Sequence, residues 1–506
     1  MLKYTLIFLL ILSAIVSTTL AAVDTGISVP WRQIIGVART TQQEVTANLS
    51  TAQGYSLQLF ASEVPNARWL AVTRSGDVLV SQPRSGQVSL LFADRNRDGR
   101  ADGQRVLIED LRRPHGLLLH EGWLYIAESD AVGRVPFDHS DARLAGSYQR
   151  IVEGLEDDGH WTKTIDMGPD GWLYLSSGSS CNVCIEKDPR RATIMRLRPD
   201  GSDLEIFATG LRNSVGFDWS PRDGGLYATD NGRDWLGDNL PPDELNRIRQ
   251  GAFYGWPYAY GDRVPDPDFG VDATPAIQEK IATSVPPVHT FAAHNAPLGL
   301  QFLRSAKQPA DYRNAALVAL HGSWNRSVKD GYKVVSLHWH QSGEIEQRDF
   351  LWGFLSKDRK TVFGRPVAIA EDTNGNIYIS DDYAGAVYRL SGSGVPGAGT
   401  APTEEAPSKA QDTPPAVDAA AVRKGAGLYQ SNGCGLCHQQ QLPLTNLRSK
   451  YTVQTLAEYF DAPTPPMPNY NFDSAQKKAL AHYLMSREVS PQAPTQPVPT
   501  PGIAPH

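Results

Sequence analysis

The chain has 506 residues, with 48 Lys+Arg against 55 Asp+Glu for a formal charge of −7, and with 20% charged and 41% apolar residues. A packed core is within reach and wholesale disorder is excluded. A basic nucleic-acid binder is excluded too, because there is no surplus of cations to neutralise a phosphate backbone. The 44 Gly and 36 Pro make a chain that turns often, and the length predicts about three domains, or fewer if one is a large all-β unit.

Residues 4 to 23 carry no charge and follow a lone Lys3, with small residues at Thr19, Ala21 and Ala22. This pattern predicts a secretory signal over residues 1–22, cleaved near Ala21 or Ala22. The alternative is a retained leader that anchors the chain, since about 20 apolar residues can span a bilayer. Either way the rest of the chain is expected outside the cytoplasm, periplasmic or otherwise exported, with membrane contact only if the leader is retained. Residues 23–49 read as an N-terminal extension.

From residue 50 to 390, short runs of β-branched and aromatic residues follow Gly-containing turns: Asp77–Val80, Trp123–Ala127, Trp172–Ser176, Leu226–Thr229, Ala316–Leu320 and Ile377–Ser380. These are strand signals. Taking Leu79, Leu124, Leu173, Leu226, Leu317 and Ile377 as register marks, the spacing is about 45 to 60 residues apart from one gap of about 91. Such a period suits four-stranded propeller blades, so six marks predict a six-bladed β-propeller. The long gap predicts a loop insertion near residues 260–290, lying over one mouth. A pair of β-sandwiches is the alternative.

Residues 391–420 are rich in Pro, Gly and Ala and read as a tether. Helical periodicity follows over Ala419–Tyr429 and Ser474–Met485, with Asp473 placed to cap the second helix. The fold class is therefore an all-β six-bladed β-propeller followed by a small all-α domain over 421–488. A Pro-rich tail occupies 489–506.

Between those two helices lies Cys434-Gly-Leu-Cys437-His438, the attachment sequence of a c-type haem. Cys434 and Cys437 add to the vinyl groups of a covalently bound haem c, and His438 ligates iron. A zinc site is disfavoured because no second Cys/His pair lies nearby. Met467, on the proline-stiffened loop Pro465-Pro466-Met467-Pro468, is the expected second axial ligand. Met485 and His482 compete, although their helix suits packing better. The segment thus predicts a cytochrome c domain that moves one electron at a time.

Cys181-Asn-Val-Cys184 has no following His. In an oxidising compartment a short-loop disulfide is the first reading, with a redox-active pair or a metal site as alternatives. Asp94-Arg-Asn96-Arg-Asp98-Gly99 spaces oxygen side chains as part of a calcium loop does, but Arg105 stands where a bidentate Glu is needed. An exposed polar turn is the competing reading.

Three ordered segments in the propeller carry a family resemblance. They are His160-Trp-Thr-Lys-Thr-Ile-Asp-Met-Gly-Pro-Asp-Gly171, Thr209-Gly-Leu-Arg212-Asn213-Ser-Val-Gly216, and the stretch holding Asp230-Asn-Gly232-Arg233, Pro242-Asp243-Glu244 and Phe253-Tyr254-Gly-Trp-Pro257. Residues 50–390 thereby resemble the quinoprotein sugar dehydrogenases of the soluble glucose dehydrogenase and L-sorbosone dehydrogenase type. The resemblance implies pyrroloquinoline quinone (PQQ) and calcium as cofactors and a sugar or related alcohol as the small-molecule substrate.

Within that resemblance, His160 is the general base, suited by an unperturbed pKa of about 6.5. Arg212 and Asn213 face the quinone oxygens, where charge develops. Carbonyls at Gly232 and Arg233 hold a catalytic calcium, and Asp243, Glu244 and Tyr254 match the segment of a second, structural calcium. A capped turn is the alternative for this last set. Arg326 and Arg365 fall where the family places cofactor-binding cations, and each reads equally as a surface charge. His115 stands where the glucose enzymes carry a substrate-contacting Gln; it contacts substrate or is a loop histidine satisfied by backbone. Trp324-Asn325 also departs from the family's small polar context, so the pocket need not accept glucose.

These parts together predict an exported quinohaemoprotein dehydrogenase that passes electrons through its own haem to an external acceptor, which could be another cytochrome, a copper protein or a quinone-linked chain. The rival is a non-catalytic, ligand- or protein-binding propeller fused to an electron-transfer cytochrome.

Overall fold

Six antiparallel sheets follow one another along the chain in the computed structural model, which describes residues 42–392, 451–460 and 472–487 together with positions 422, 424, 425, 428, 429 and 447. The first sheet orders Leu70–Val72, Val78–Gln82, Gln87–Leu91 and Gln104–Ile108 side by side, each strand pairing with the next. The second strands of the other five are Trp123–Ala127, Leu173–Ser177, Leu226–Asp230, Ala316–Leu320 and Ile377–Asp381. Every register mark read from the sequence lies in one of these second strands.

These strands read as almost continuous apolar runs because both of their faces are buried. Leu79 packs with Leu117, Leu124 and Ile126 of the following sheet, while its neighbours Val78 and Val80 pack with Ala368, Tyr378 and Val387 of the last one. Side chains alternate across a strand, so each sheet contributes to two cores. The same sharing recurs at each junction around the ring.

The ring closes through Tyr55–Ala61, which adds to Ala386–Gly392 with Tyr55 opposite Gly392 and Leu57 opposite Leu390. A strand from the start of the propeller thus completes its last blade, which rules out the sandwich alternative. Upstream of it, helix Gln42–Asn48 buries Val45 in the closing core, so the end of the expected extension belongs to the propeller. The insertion expected as a loop has structure of its own. A short hairpin of Ala259–Tyr260 and Val264–Pro265 is followed by helix Pro275–Ala282, which begins with Pro at its first turn after Thr274. A proline there is preset for the helix and needs no hydrogen bond.

The chain divides into two units, 1–402 and 403–506. In the second, helices Val453–Tyr459 and Ser474–Arg487 are described, and Asp473 Oδ1 accepts from Gln476 N at 2.7 Å as the expected cap. Met485 is buried with Leu456, Leu480 and Leu484, in keeping with core packing. Among the described residues no helix is long and apolar enough to cross a membrane. The leader, the tether, the Pro-rich tail, Cys434, Cys437, His438 and Met467 lie outside the described residues.

Candidate active site

In each blade the first strand runs antiparallel to the second, so residues before the first and after the second meet at one end of the sheet. Arg68, His115, His160, Arg212 and Arg365 precede first strands, whereas Ser179, Asn182, Asn231, His321 and Asp382 follow second strands. The topology alone therefore collects them at one rim.

His160 is half-buried, with Nδ1 3.0 Å from Ser179 O and 2.9 Å from Ser179 Oγ. A carbonyl can only accept, and Ser179 Oγ donates its own hydrogen to Cys181 O at 2.6 Å. Nδ1 must then carry the proton, which leaves a lone pair on Nε2. Burial, and after it the Arg212 charge, lowers the His160 pKa to about 3. The sequence expectation of a value near 6.5 is corrected accordingly: desolvation and a neighbouring cation both disfavour imidazolium.

Arg212 and Asn213 turn their backbone N–H groups onto Asp230, at 2.9 and 2.6 Å. The buried Arg212 guanidinium donates to Asn182 O, Asn182 Oδ1, Asp234 Oδ2, Asn231 O and Gly232 O. Those contacts occupy its five N–H groups, so Arg212 braces loops where a direct quinone contact was expected. Asn213 Oδ1, by contrast, is buried without a partner. Gly178 separates Asn213 from His160: a Cβ there would lie 2.5 Å from Asn213 Oδ1 and 2.6 Å from His160 Cβ. Gly178→Ala is expected to push the two apart and lower kcat by about 100-fold, as turnover measured beside thermal melting would show; normal turnover would mean that their spacing does not matter.

A second cluster was not legible as one in the sequence. Asp382 accepts from Arg68 Nη1 at 2.8 Å and His321 Nε2 at 3.0 Å, while Arg365 Nη2 donates to His321 Nδ1 at 2.8 Å. His321 is thus held neutral, its pKa lowered to about 4 by burial and by Arg365. Burial raises the Asp382 pKa, but His321 and Arg68 outweigh it and hold the carboxyl well below the usual range. Arg68 Nε and Arg365 Nε are buried and unbonded. Asp382 thus pairs directly with Arg68 and reaches Arg365 only through His321, and both guanidinium groups retain a donor for an anion.

His115 extends this wall. It is fully buried between Trp69 and Trp161, at ring distances of 5.1 and 5.8 Å, and its Nδ1 lies 3.2 Å from Lys163 O. Its Nε2 is buried and unbonded, and burial, then Arg68, lowers its pKa well below the ordinary value. The Arg113 guanidinium stacks 4.2 Å above Trp161.

Other expected positions lie elsewhere or do something else. Arg326, expected at the cofactor, donates to Asp238 O at 2.7 Å and Ala293 O at 3.1 Å and so braces rim loops. The Arg233 side chain pairs with Asp266 and Asp268. The Gly232 carbonyl, expected on calcium, accepts from Arg212. Asp243 staples Gly232 N and Ala296 N, each at 2.8 Å. Tyr254 Oη donates to Arg247 O and accepts from Arg249 N, which fills its capacity. Glu244 and Asp230 bring carboxylate oxygens of the kind a hard cation takes to one cavity of about 20 Å³, room for a single water-sized guest, which Arg212 and Arg233 also line. Burial pushes Glu244 up to about 7.

Cys181 and Cys184 form a disulfide. Although Glu186 lies close by, the joined sulfurs are not thiolate ligands. In the 94–102 segment, Asp94 accepts from Asp98 N and Gly99 N and pairs with Arg389, the arrangement of a self-bonded polar turn.

Comparison with known proteins agrees with this architecture. The chain is 30% identical over 363 residues to an uncharacterised protein of Borreliella burgdorferi, covering 69% of this chain and 92% of that one. It is 24% identical over 409 residues to a PQQ-dependent pyranose dehydrogenase of Coprinopsis cinerea, covering 68% of this chain and 55% of that enzyme, so it spans about half the enzyme's length. A calcium structure of the Trichoderma reesei carbohydrate-active enzyme family AA12 superposes with a TM-score of 0.58 at 21% identity, over 68% of this chain and 97% of that one. The fold is therefore the six-bladed propeller of that group. A TrAA12-like family model matches residues 49–393, a span that takes in all six sheets, and the chain accordingly belongs to the TrAA12-like family.

Proposed function

We propose that this chain is an exported PQQ-dependent sugar dehydrogenase whose electrons leave singly through a c-type haem at Cys434, Cys437 and His438, with Met467 as second axial ligand. The observation that carries the propeller half is the pair of buried, unbonded guanidinium donors, Arg68 Nε and Arg365 Nε, at the rim that also holds His160 with its Nε2 lone pair. The name of the Coprinopsis relative points to the same cofactor and to a pyranose.

PQQ supplies a two-electron acceptor when bound. Arg68 and Arg365 hold a carboxylate of such a ligand by charge-assisted hydrogen bonds, and Asn213 Oδ1 and His115 Nε2 accept from polar groups brought against them. His160 takes the substrate hydroxyl proton at Nε2 as the carbon is oxidised. Its Nδ1–H stays on Ser179, which orients the ring and stabilises the imidazolium that forms. Calcium is assigned to the Asp230–Glu244 cavity as a hard cation on carboxylate oxygens.

The test is haem absorbance of the full chain mixed with aldoses, polyols and simple alcohols, with and without added PQQ and Ca²⁺. Haem reduction by a sugar only when both are present is expected. Failure to bind PQQ at micromolar concentration would favour the binding-propeller rival.

A further inference from the structure

The segment from Gly178 to Cys184 touches all three motifs of the rim, although it belongs to none of them. Ser179 N donates to Arg212 O at 2.7 Å, and Ser179 O accepts from His160 N as well as from the imidazole. Asn182 uses both ends of its amide and its own carbonyl. Its O accepts from Arg212 Nε at 2.9 Å, its Oδ1 from Arg212 Nη2 at 2.9 Å and Asp234 N at 2.7 Å, and its Nδ2 donates to Asp234 O at 3.1 Å. One residue therefore ties its own turn to the Arg212 loop and to the loop after Leu226–Asp230.

Asn182 is held between the two bridged cysteines. Stabilisation by a disulfide through the unfolded chain grows with the length of the loop it closes, and this loop is among the shortest a bridge can close. Its global contribution is accordingly small, whereas its local effect is to fix the turn that presents Asn182 and the Cys181 carbonyl. That carbonyl takes the Ser179 hydroxyl hydrogen at 2.6 Å and so leaves a Ser179 lone pair for His160 Nδ1–H. On the far side Glu186 accepts from Ser180 N and Ser180 Oγ, both at 2.7 Å, and closes the turn against its own strand end.

We propose that the disulfide-closed turn is the positioning element of this site, with Asn182 fixing the Arg212 guanidinium and Ser179 fixing the His160 tautomer. The role given to His160 rests on the function proposed above; the geometry of the turn does not. Asn182 and Ser179 are positioning residues, since each acts through Arg212 or His160.

The experiment compares wild type, Asn182→Ala, Cys181→Ser/Cys184→Ser and His160→Gln as full chains loaded with PQQ and Ca²⁺. It reads kcat, KM, PQQ binding by absorbance, thermal melting, and the imidazole ¹⁵N shifts of His160, assigned by their loss in His160→Gln. In wild type one nitrogen of His160 is expected protonated and the other not. Asn182→Ala and the double serine variant are expected to lower kcat by about 10- to 100-fold with KM little changed, and the double serine variant, which frees the Cys181 carbonyl that takes the Ser179 hydroxyl hydrogen, to move those shifts toward a tautomer mixture. A turn that served only stability would lower the melting temperature but leave the shifts and kcat in place, and that result overturns the proposal. If the double serine variant does not fold, Asn182→Ala alone decides. Should His160→Gln itself turn over normally, the assignment of the base is wrong, while the ¹⁵N shifts still judge the turn.

Discussion

Replacing His160 by alanine is expected to lower kcat by about 100-fold or more while PQQ binding persists, because the groups assigned to the cofactor carboxylates, Arg68 and Arg365, bond to Asp382 and His321 and not to this ring. The imidazole has one nitrogen fixed on Ser179 and one lone pair, and alanine removes the proton acceptor without altering the cationic wall. The pH behaviour gives a second, sharper expectation. With its folded-state pKa lowered to about 3, His160 stays neutral from neutral pH down to that value, so kcat/KM of the free enzyme should show no acid limb near 6.5 from this group. The stability it contributes is fully present above about 6.5 and is lost as pH falls toward 3, since the unfolded chain takes up the proton first. An anion bound beside the ring favours imidazolium, so NMR titration should find a higher His160 pKa with PQQ than without it. Turnover within a fewfold of wild type in His160→Ala would remove the base from this residue.

Asp382→Asn should destabilise the propeller by about 3–5 kcal/mol, the usual cost of leaving buried charge unpaired. Asn keeps the shape and loses the only carboxylate that forms an ion pair with Arg68 among the described residues. Because the Asp382 pKa is depressed, its contribution is present above about 3.9 and disappears as pH falls through the folded value. The variant should therefore lose part of the low-pH decline in stability that wild type shows. With its carboxylates on Arg68 and Arg365 as proposed, PQQ should raise the melting temperature of Asp382→Asn more than that of wild type. Equal shifts in the two proteins would mean that the cofactor's carboxylates bind elsewhere.

Several features followed from local sequence alone. The six second strands were readable because each is buried on both faces and so is apolar along its whole length. The Cys181–Cys184 bridge was readable because its partners lie three residues apart, and the Asp473 cap because capping is settled within one helical turn. His160 and the Arg212-Asn213 pair lay in recognisable ordered motifs. What those motifs could not convey was which atoms remain available: Arg212 is in place, yet its donors are occupied by carbonyls and carboxylates from Asn182 and the 231–234 segment. The loop bracing by Arg326 was hidden for the same reason, since the carbonyls it bonds come from another blade. Arg68, His321 and Asp382 carried no signal, because Arg68 and Asp382 are 314 positions apart and meet only after Tyr55–Ala61 closes the ring. Repetition and short-range pairing are properties of neighbours in the chain and can be read from it. A buried charge network is set by which loop ends converge at one rim, and ring closure decides that.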